Sequence, residues 1–166
     1  MADPRTPDPG TSASDAPRIR VAGVADVAAI RAIARAAYAK YVPRIGREPA
    51  PMTEDYAAAV AMRHAVVAEV AGRVCGYMVA WPEGGAYFIE SLGVDPQSQG
   101  HGLGRRLIEH AVAAARRGGL PALRLYTNEA MAENLAMYAH FGFAETHRVT
   151  EAGFRRVYMR WVLPDG

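Results

Sequence analysis

Apolar positions recur along the chain in two rhythms, one of period two and one near 3.6, and the switches between them lay out the elements. IRVAG (19–23) reads as a short strand. Asp26 is placed to cap a helix, and Val27, Ile30, Ile33, Ala34, Ala37 and Tyr38 follow at helical spacing. YVPRIGREPAPM (41–52) carries three prolines and a glycine, which argues against a continuous helix. Thr53, with Glu54 and Asp55 in the first turn, starts a second, shorter helix. HAVVAEV (64–70) and VCGYMVAW (74–81) read as strands joined at Ala71-Gly72, a β-hairpin. Pro82, Gly84 and Gly85 make the next turn, and AYFIESLGV (86–94) is the third strand of a meander.

The second half continues in the same way. RRLIEHAVAAA (105–115) is helical and ends near Gly118-Gly119. ALRLYT (122–127) is a strand, and a helix follows through MAENLAMYAHF (131–141). Gly142 suits a left-handed position after its last turn, with Phe143 folding back on the helix. ETHRVT and FRRVYMRWVL form a hairpin around Glu151-Ala152-Gly153, and Val157, Met159, Trp161 and Leu163 alternate onto one face. The order β-α-α-β-β-β-α-β-α-β-β mixes runs of strands with helices. That predicts an α+β fold with a mixed sheet rather than a strictly alternating parallel one.

Composition narrows the class. At 166 residues, 51% hydrophobic and 22% charged, the chain suits one globular domain, here residues 18–166. MADPRTPDPGTSASDAP (1–17) has four prolines, three aspartates and no apolar core, so it reads as a flexible leader rather than a signal peptide. A net charge of +2, with no basic run interleaved with aromatics, gives no footprint for nucleic acid. No segment approaches the roughly 20 apolar residues that span a bilayer, so no membrane is expected and a cytoplasmic location is. Cys75, the single cysteine, excludes an internal disulfide and a CxxC site and reads as a small core residue. No His-x-x-x-His pair suggests a metal, and none is expected.

One stretch does not fit mere punctuation. QSQGHGLGR (97–105) sets Gly100, Gly102 and Gly104 between the strand AYFIESLGV and the following helix. A helix start offers unpaired N–H groups and a partial positive charge, and glycines let a phosphate approach them closely. GHGLGR is not GxGxxG, and ALRLYT does not end on the acidic residue that a dinucleotide ribose would need. No GK[ST] makes a P-loop. A glycine turn without ligand, or a nucleotide-binding interaction domain, are the readings the loop alone leaves open.

The wider pattern resembles the GNAT superfamily of N-acetyltransferases. QSQGHGLG matches its Q/R-x-x-G-x-G/A motif through Gln99, Gly102 and Gly104, and Asn134, Tyr138 and Gly142-Phe143 on the next helix are similar to that family's second motif. The likeness in element order runs from about residue 18 to 163. It implies the GNAT fold, a mostly antiparallel central sheet flanked by helices, and acetyl-CoA as cofactor. The pyrophosphate would lie on Gly100, His101, Gly102, Leu103, Gly104 and Arg105, with Gln99 beside it. The pantetheine arm would lie along Leu92, Gly93 and Val94 as an added strand, which requires the sheet to splay there, and Gly93 is compatible with a bulge.

The resemblance also implies roles. An alkylamine with a pKa near ~10.4 must lose a proton before it attacks a thioester, and the leaving thiolate must gain one. Tyr138 matches the family's general acid to the CoA sulfur, although Met131, Leu135 and Tyr138 also share a helical face suited to a core. Glu90, the only carboxylate in its strand, is the candidate general base. Family members that place the acid two residues earlier would have it at Phe88, on the same face. The alternative for Glu90 is a glutamate satisfied by an arginine on a neighbouring strand. Asn134 departs from the family, whose asparagine precedes the tyrosine by seven residues, the place of Met131 here; its own spacing of four still allows a CoA contact. In the family the region of YVPRIGREPAPM covers the acceptor, which makes Tyr41, Arg44, Arg47, Met52 and Tyr56 candidates to touch it. The two arginines would suit a carboxylate on the acceptor, or else face water; His147 and Arg148 stand likewise. The expected activity is acetyl transfer to a primary amine of a small molecule, peptide or protein by direct attack in a ternary complex. A non-catalytic acyl-CoA-binding or sensor module of the same fold is the alternative. Homodimers are common in the resembled family.

Overall fold

The computed structural model describes residues 16–165, so the expected leader falls almost wholly outside the described residues. Seven strands form one sheet in the order β1-β2-β3-β4-β5-β7-β6. These are β1 (Arg18–Val21), β2 (Ala65–Val70), β3 (Arg73–Glu83), β4 (Ala86–Val94), β5 (Ala122–Asn128), β6 (Ala144–Glu151) and β7 (Phe154–Val162). All neighbouring pairs are antiparallel except β4–β5. That parallel pair needs a crossover, and α4 (Leu103–Arg117) supplies it. The α+β expectation therefore holds, with a mixed, mostly antiparallel sheet.

Helices cover both faces. On one, α4 buries Leu103, Leu107, Ile108, Ala111 and Ala115 against Met78, Ile89, Leu123, Leu125, Val157 and Met159 of the sheet. Those helix positions make a single stripe at a spacing of 3.6, and each large side chain contributes roughly 1.5–3 kcal/mol on burial. The helix α5 (Ala132–Phe141) brings Tyr138 to the same core. On the other face α1 (Val27–Tyr38) and α3 (Tyr56–Ala61) pack Ile30, Ile33 and Val60 on Val67, Tyr77 and Val79. Cys75 is a buried free thiol in the core under α4, as expected. Among the described residues no helix is long and apolar enough to cross a membrane.

Local expectations needed three corrections. Asp26 does not cap α1: its carboxylate accepts from Gly23 N (2.8 Å) and from Arg20 on β1, because a guanidinium 2.8 Å away is a stronger partner than an N–H of the helix. Asp55, not Thr53, caps α3, accepting from Ala58 N at 3.0 Å. The segment 41–52 is not a continuous helix, yet it is more helical than a loop. It breaks into 3-10 turns at Ala39–Tyr41 and Ala50–Met52 around the one-turn α2 (Val42–Ile45), which Gly46 ends at φ +87°.

Candidate active site

β4 decides where the site forms. It pairs with β5 only at Tyr87, Phe88 and Ile89, then parts from β5 while staying paired with β3. Against β3 its register slips: Ser91 faces Val79 and Ile89 faces Ala80, leaving Glu90 as the extra residue of a β-bulge. The bulge is thus at Glu90, not at Gly93. Gly93 has another reason to be glycine, because a Cβ there would lie 2.6 Å from the Tyr77 ring.

Beyond the split, backbone groups are left over. Asp95 N donates to Cys75 O, and the antiparallel alternation then pairs Gly93 with Tyr77. Leu92 and Val94 point their N–H and C=O groups the other way, towards the side with no strand. Tyr38 donates to Leu92 O (2.6 Å) and Gln99 Nε2 to Val94 O (3.2 Å), so the open side is partly dressed by side chains.

Two cavities flank this edge, and Tyr38 and Leu92 line both. The first, of about 450 Å³, is lined by Gly93, Val94, Gln99, Gly100, Gly102, Leu103, Gly104 and Arg105 on one wall and by Tyr41, Asn134 and Phe141 on the other. The helix starts at Leu103, two residues before the predicted start, because Gly102 at φ +78° serves as its cap. Its first backbone bond runs from Arg106 N to Gly102 O (3.1 Å), so the N–H groups of Leu103, Gly104 and Arg105 have no partner within the helix. A Cβ placed on Gly100, Gly102 or Gly104 would meet nothing within 4 Å. These glycines are therefore not needed for packing within the chain, and their bare backbone faces open space. His101 is exposed and does not line the cavity. Asn134 accepts from the Tyr41 hydroxyl at 3.5 Å.

The second cavity, of about 350 Å³, is lined by Glu90, Ser91, Tyr126, Asn128, Tyr138 and Arg156, roofed by Pro49, Ala50 and Pro51 with Thr53 and Glu54. Tyr138 is buried, its ring edge-on to Phe143 at 5.6 Å. Among the described residues its hydroxyl has no hydrogen-bond partner, yet the one buried polar side-chain atom without a partner is Arg124 Nε, so the hydroxyl reaches the cavity. Burial raises the Tyr138 pKa above that of free tyrosine, which keeps the phenol protonated. Glu90 has no arginine partner among the described ion pairs; Arg124 on β5 is held by Glu83 at 2.7 Å instead. Glu54, which the sequence did not single out, meets Glu90. Burial, and then a hydrogen bond and charge repulsion from Glu90, push the Glu54 carboxyl up to about 9.

The five acceptor candidates lie elsewhere. Arg44 is held by both oxygens of Glu133 (2.8 Å each), Arg47 donates to Ala152 O and lies over Phe154, and Tyr41 faces the glycine-side cavity. Met52 packs against the Tyr38, Tyr41 and Met131 cluster. The Tyr56 hydroxyl is 2.6 Å from Pro51 O and 3.0 Å from Tyr77, a buried network under the roof. None of the five lines the cavity of Glu90, although their own segment roofs it. His147 stacks on Tyr158 at 4.5 Å and Arg148 pairs with Glu129 and Glu145, so both are engaged on the β6–β7 hairpin. No cluster of potential metal ligands occurs among the described residues.

A split strand, a glycine-rich helix start and a second motif on the next helix are the features by which related chains can be compared. The family model described as "Acetyltransferase (GNAT) family" matches residues 27–143. The chain belongs to this family. The IAA acetyltransferase of Azospirillum brasilense is 38% identical over 82 residues, 48% of this chain and 54% of that protein. The N-alpha-acetyltransferase RimI of Mycobacterium tuberculosis is 39% identical over 74 residues, 45% of this chain and 41% of that protein. The chain thus spans about half or less of the length of these curated relatives. The fold is that of the PaiA N-acetyltransferase of Thermoplasma acidophilum, solved in complex with coenzyme A, with a TM-score of 0.75 over 89% of this chain and 99% of that one at 14% identity.

Proposed function

We propose that this GNAT protein is an N-acetyltransferase that moves the acetyl group of acetyl-CoA to a primary amine by direct attack in a ternary complex. The observation that carries the reading is the pair of cavities meeting at Tyr38 and Leu92, one beside unpaired helix N–H groups, the other holding Glu90 and Tyr138. Gly100 to Arg105 and Gln99 hold the pyrophosphate, because bare amides and the helix dipole favour an anion there. Leu92 and Val94 offer the pantetheine arm the backbone groups of an unpaired strand, with Asn134 on the opposite wall. The bound cofactor supplies an activated thioester carbonyl. Glu90 takes the proton of the amine, and Tyr138 gives its phenol proton to the departing sulfur. The amine approaches from the side of Glu90, between the roof over Pro49–Glu54 and the β6–β7 end of the sheet.

Thermal shift with CoA, acetyl-CoA, NAD and ATP is expected to show stabilisation by the CoA compounds alone; stabilisation by NAD or ATP without CoA contradicts the reading. Gly104→Val should keep the melting temperature, since a Cβ there meets nothing, while weakening CoA binding about tenfold, roughly 1.4 kcal/mol, by filling the phosphate approach. Unchanged CoA affinity would move the cofactor off the loop. In a thiol-release assay with a panel of amines and peptides, Tyr138→Phe should turn over about tenfold more slowly at the chemical step with unchanged CoA affinity. Full activity in that variant removes Tyr138 from the role of acid.

A further inference from the structure

Glu54 is a carboxyl without a place in that scheme, and its surroundings are unusual. It sits just before the Asp55 cap of α3, between the exposed residues Thr53 and Asp55. Glu90 sits on the bulge of β4, between the buried residues Ile89 and Ser91. The two side chains line the same cavity, and the nearness of the Glu90 carboxyl adds to burial in raising the Glu54 pKa. Burial and a neighbouring carboxyl both disfavour the charged form, so Glu54 holds its proton more firmly than an exposed glutamate does. Arg156 is the one cation on the lining, and it is held by Glu151 at 2.9 Å and stacks on Tyr126 at 4.3 Å. No arginine or lysine among the described residues forms an ion pair with either carboxyl, so the wall where a cationic amine would enter is acidic.

We propose that Glu54 is the outer half of a proton relay: Glu90 takes the proton of the acceptor amine, and Glu54 releases one to solvent. This rests on the N-acetyltransferase reading. In the relay the ammonium N–H bond breaks, its electron pair stays on nitrogen, and an O–H bond forms on Glu90. The Glu54 O–H proton passes to water at the roof, and the proton on Glu90 then passes within the shared cavity to Glu54. The pair returns to its starting charge with one proton delivered outside, as amide formation from an ammonium requires. Glu54 acts through Glu90 and is a positioning residue rather than a catalytic one.

The other groups that face the pair set its titration. They are the hydroxyl of Tyr56 beside Glu54, the phenols of Tyr38, Tyr126 and Tyr138, and Arg156 with its partner Glu151. A carboxyl raised from 4.5 in the unfolded chain to about 9 binds its proton more tightly when folded. Its contribution to stability is therefore full below pH 4.5 and is lost as pH rises towards about 9.

The test compares the full chain with Glu54→Gln, Glu54→Asp and Glu90→Gln in turnover, pH profile, thermal stability and infrared absorption. At pH 7 the wild type should show the band of a protonated carboxylic acid that disappears as pH rises through about 9 and is absent in Glu54→Gln. Glu54→Gln should lower kcat roughly tenfold to hundredfold with CoA affinity intact, and should flatten the decline of melting temperature between pH 5 and about 9. Glu54→Asp should recover part of the rate. An active wild type with an indifferent Glu54→Gln, or with no protonated carboxyl at pH 7, overturns the relay alone. A wild type that binds CoA and acetylates no amine overturns the N-acetyltransferase reading and the relay with it.

Discussion

Glu90→Gln is expected to lower kcat/KM for the acceptor amine about 10²- to 10⁴-fold at neutral pH, the range that a well-placed general base supplies, or roughly 3–5 kcal/mol of barrier. The side chains are nearly equal in size and the position is half-buried, so packing should hardly change. What is lost is the ability to accept a proton. Without it the enzyme depends on the fraction of amine already neutral. For an amine with a pKa near ~10.4 that fraction rises tenfold with each pH unit below it. The deficit should therefore shrink as pH rises towards 10 and be largest at the acid end. A loss of equal size at every pH would mean that Glu90 shapes the bulge rather than moves protons. The double variant with Glu54→Gln separates the two carboxyls further: if they form one relay, the two losses should not add, because without Glu90 no proton reaches Glu54.

Why Glu90 was visible in the sequence and Glu54 was not has a physical reason. Glu90 interrupts an apolar strand, and a lone carboxylate there stands out against the alternation of AYFIESLGV. Glu54 lies among other polar residues, where a carboxylate near a helix start is ordinary. Its partner is far away in sequence, and the two meet because β4 bulges at Glu90 and parts from β5 after Ile89. No residue of β4 announces a bulge; Gly93, the one that suggested it, answers to the Tyr77 ring instead. The partners of the arginine candidates were hidden for the same reason. Arg44 and Arg47 find Glu133 and the Ala152 carbonyl, 89 and 105 residues away, and such partners are set by topology. Signals that act over a few residues were legible. The stripe of α4, the alternation in β7 and the glycines ahead of α4 all place their elements correctly, though Gly102 starts the helix earlier than helix propensity at Gly104 suggests. Asp26 shows the limit of local rules, since Arg20 from β1 takes the carboxylate that was expected to cap α1.

The largest effect on stability is expected at Gly142. Gly142→Ala should cost roughly 2–4 kcal/mol and lower the melting temperature by several degrees, combining a strained backbone with an overpacked contact. Its φ is +125°, a conformation that side-chain-bearing residues rarely adopt, and a Cβ would lie 2.8 Å from Trp161 Nε1 and 2.9 Å from Trp161 Cε2. The indole cannot swing away freely, because Phe143 packs on it at 5.7 Å. Phe143 in turn stands edge-on to Tyr138 and donates its N–H to Tyr138 O (3.0 Å). Strain at Gly142 is thus passed through two aromatic contacts to the residue assigned the acid role. Gly142→Ala should consequently lose turnover as well as stability, even at a temperature where it is fully folded, while Gly153→Ala should be milder in both. Gly153 also has a positive φ, but its Cβ would come no closer than 3.3 Å to an exposed Arg47 side chain that can move. A Gly142→Ala protein that melts with the wild type would show that Trp161 and the end of α5 give way at little cost, and the coupling to Tyr138 would fall with it.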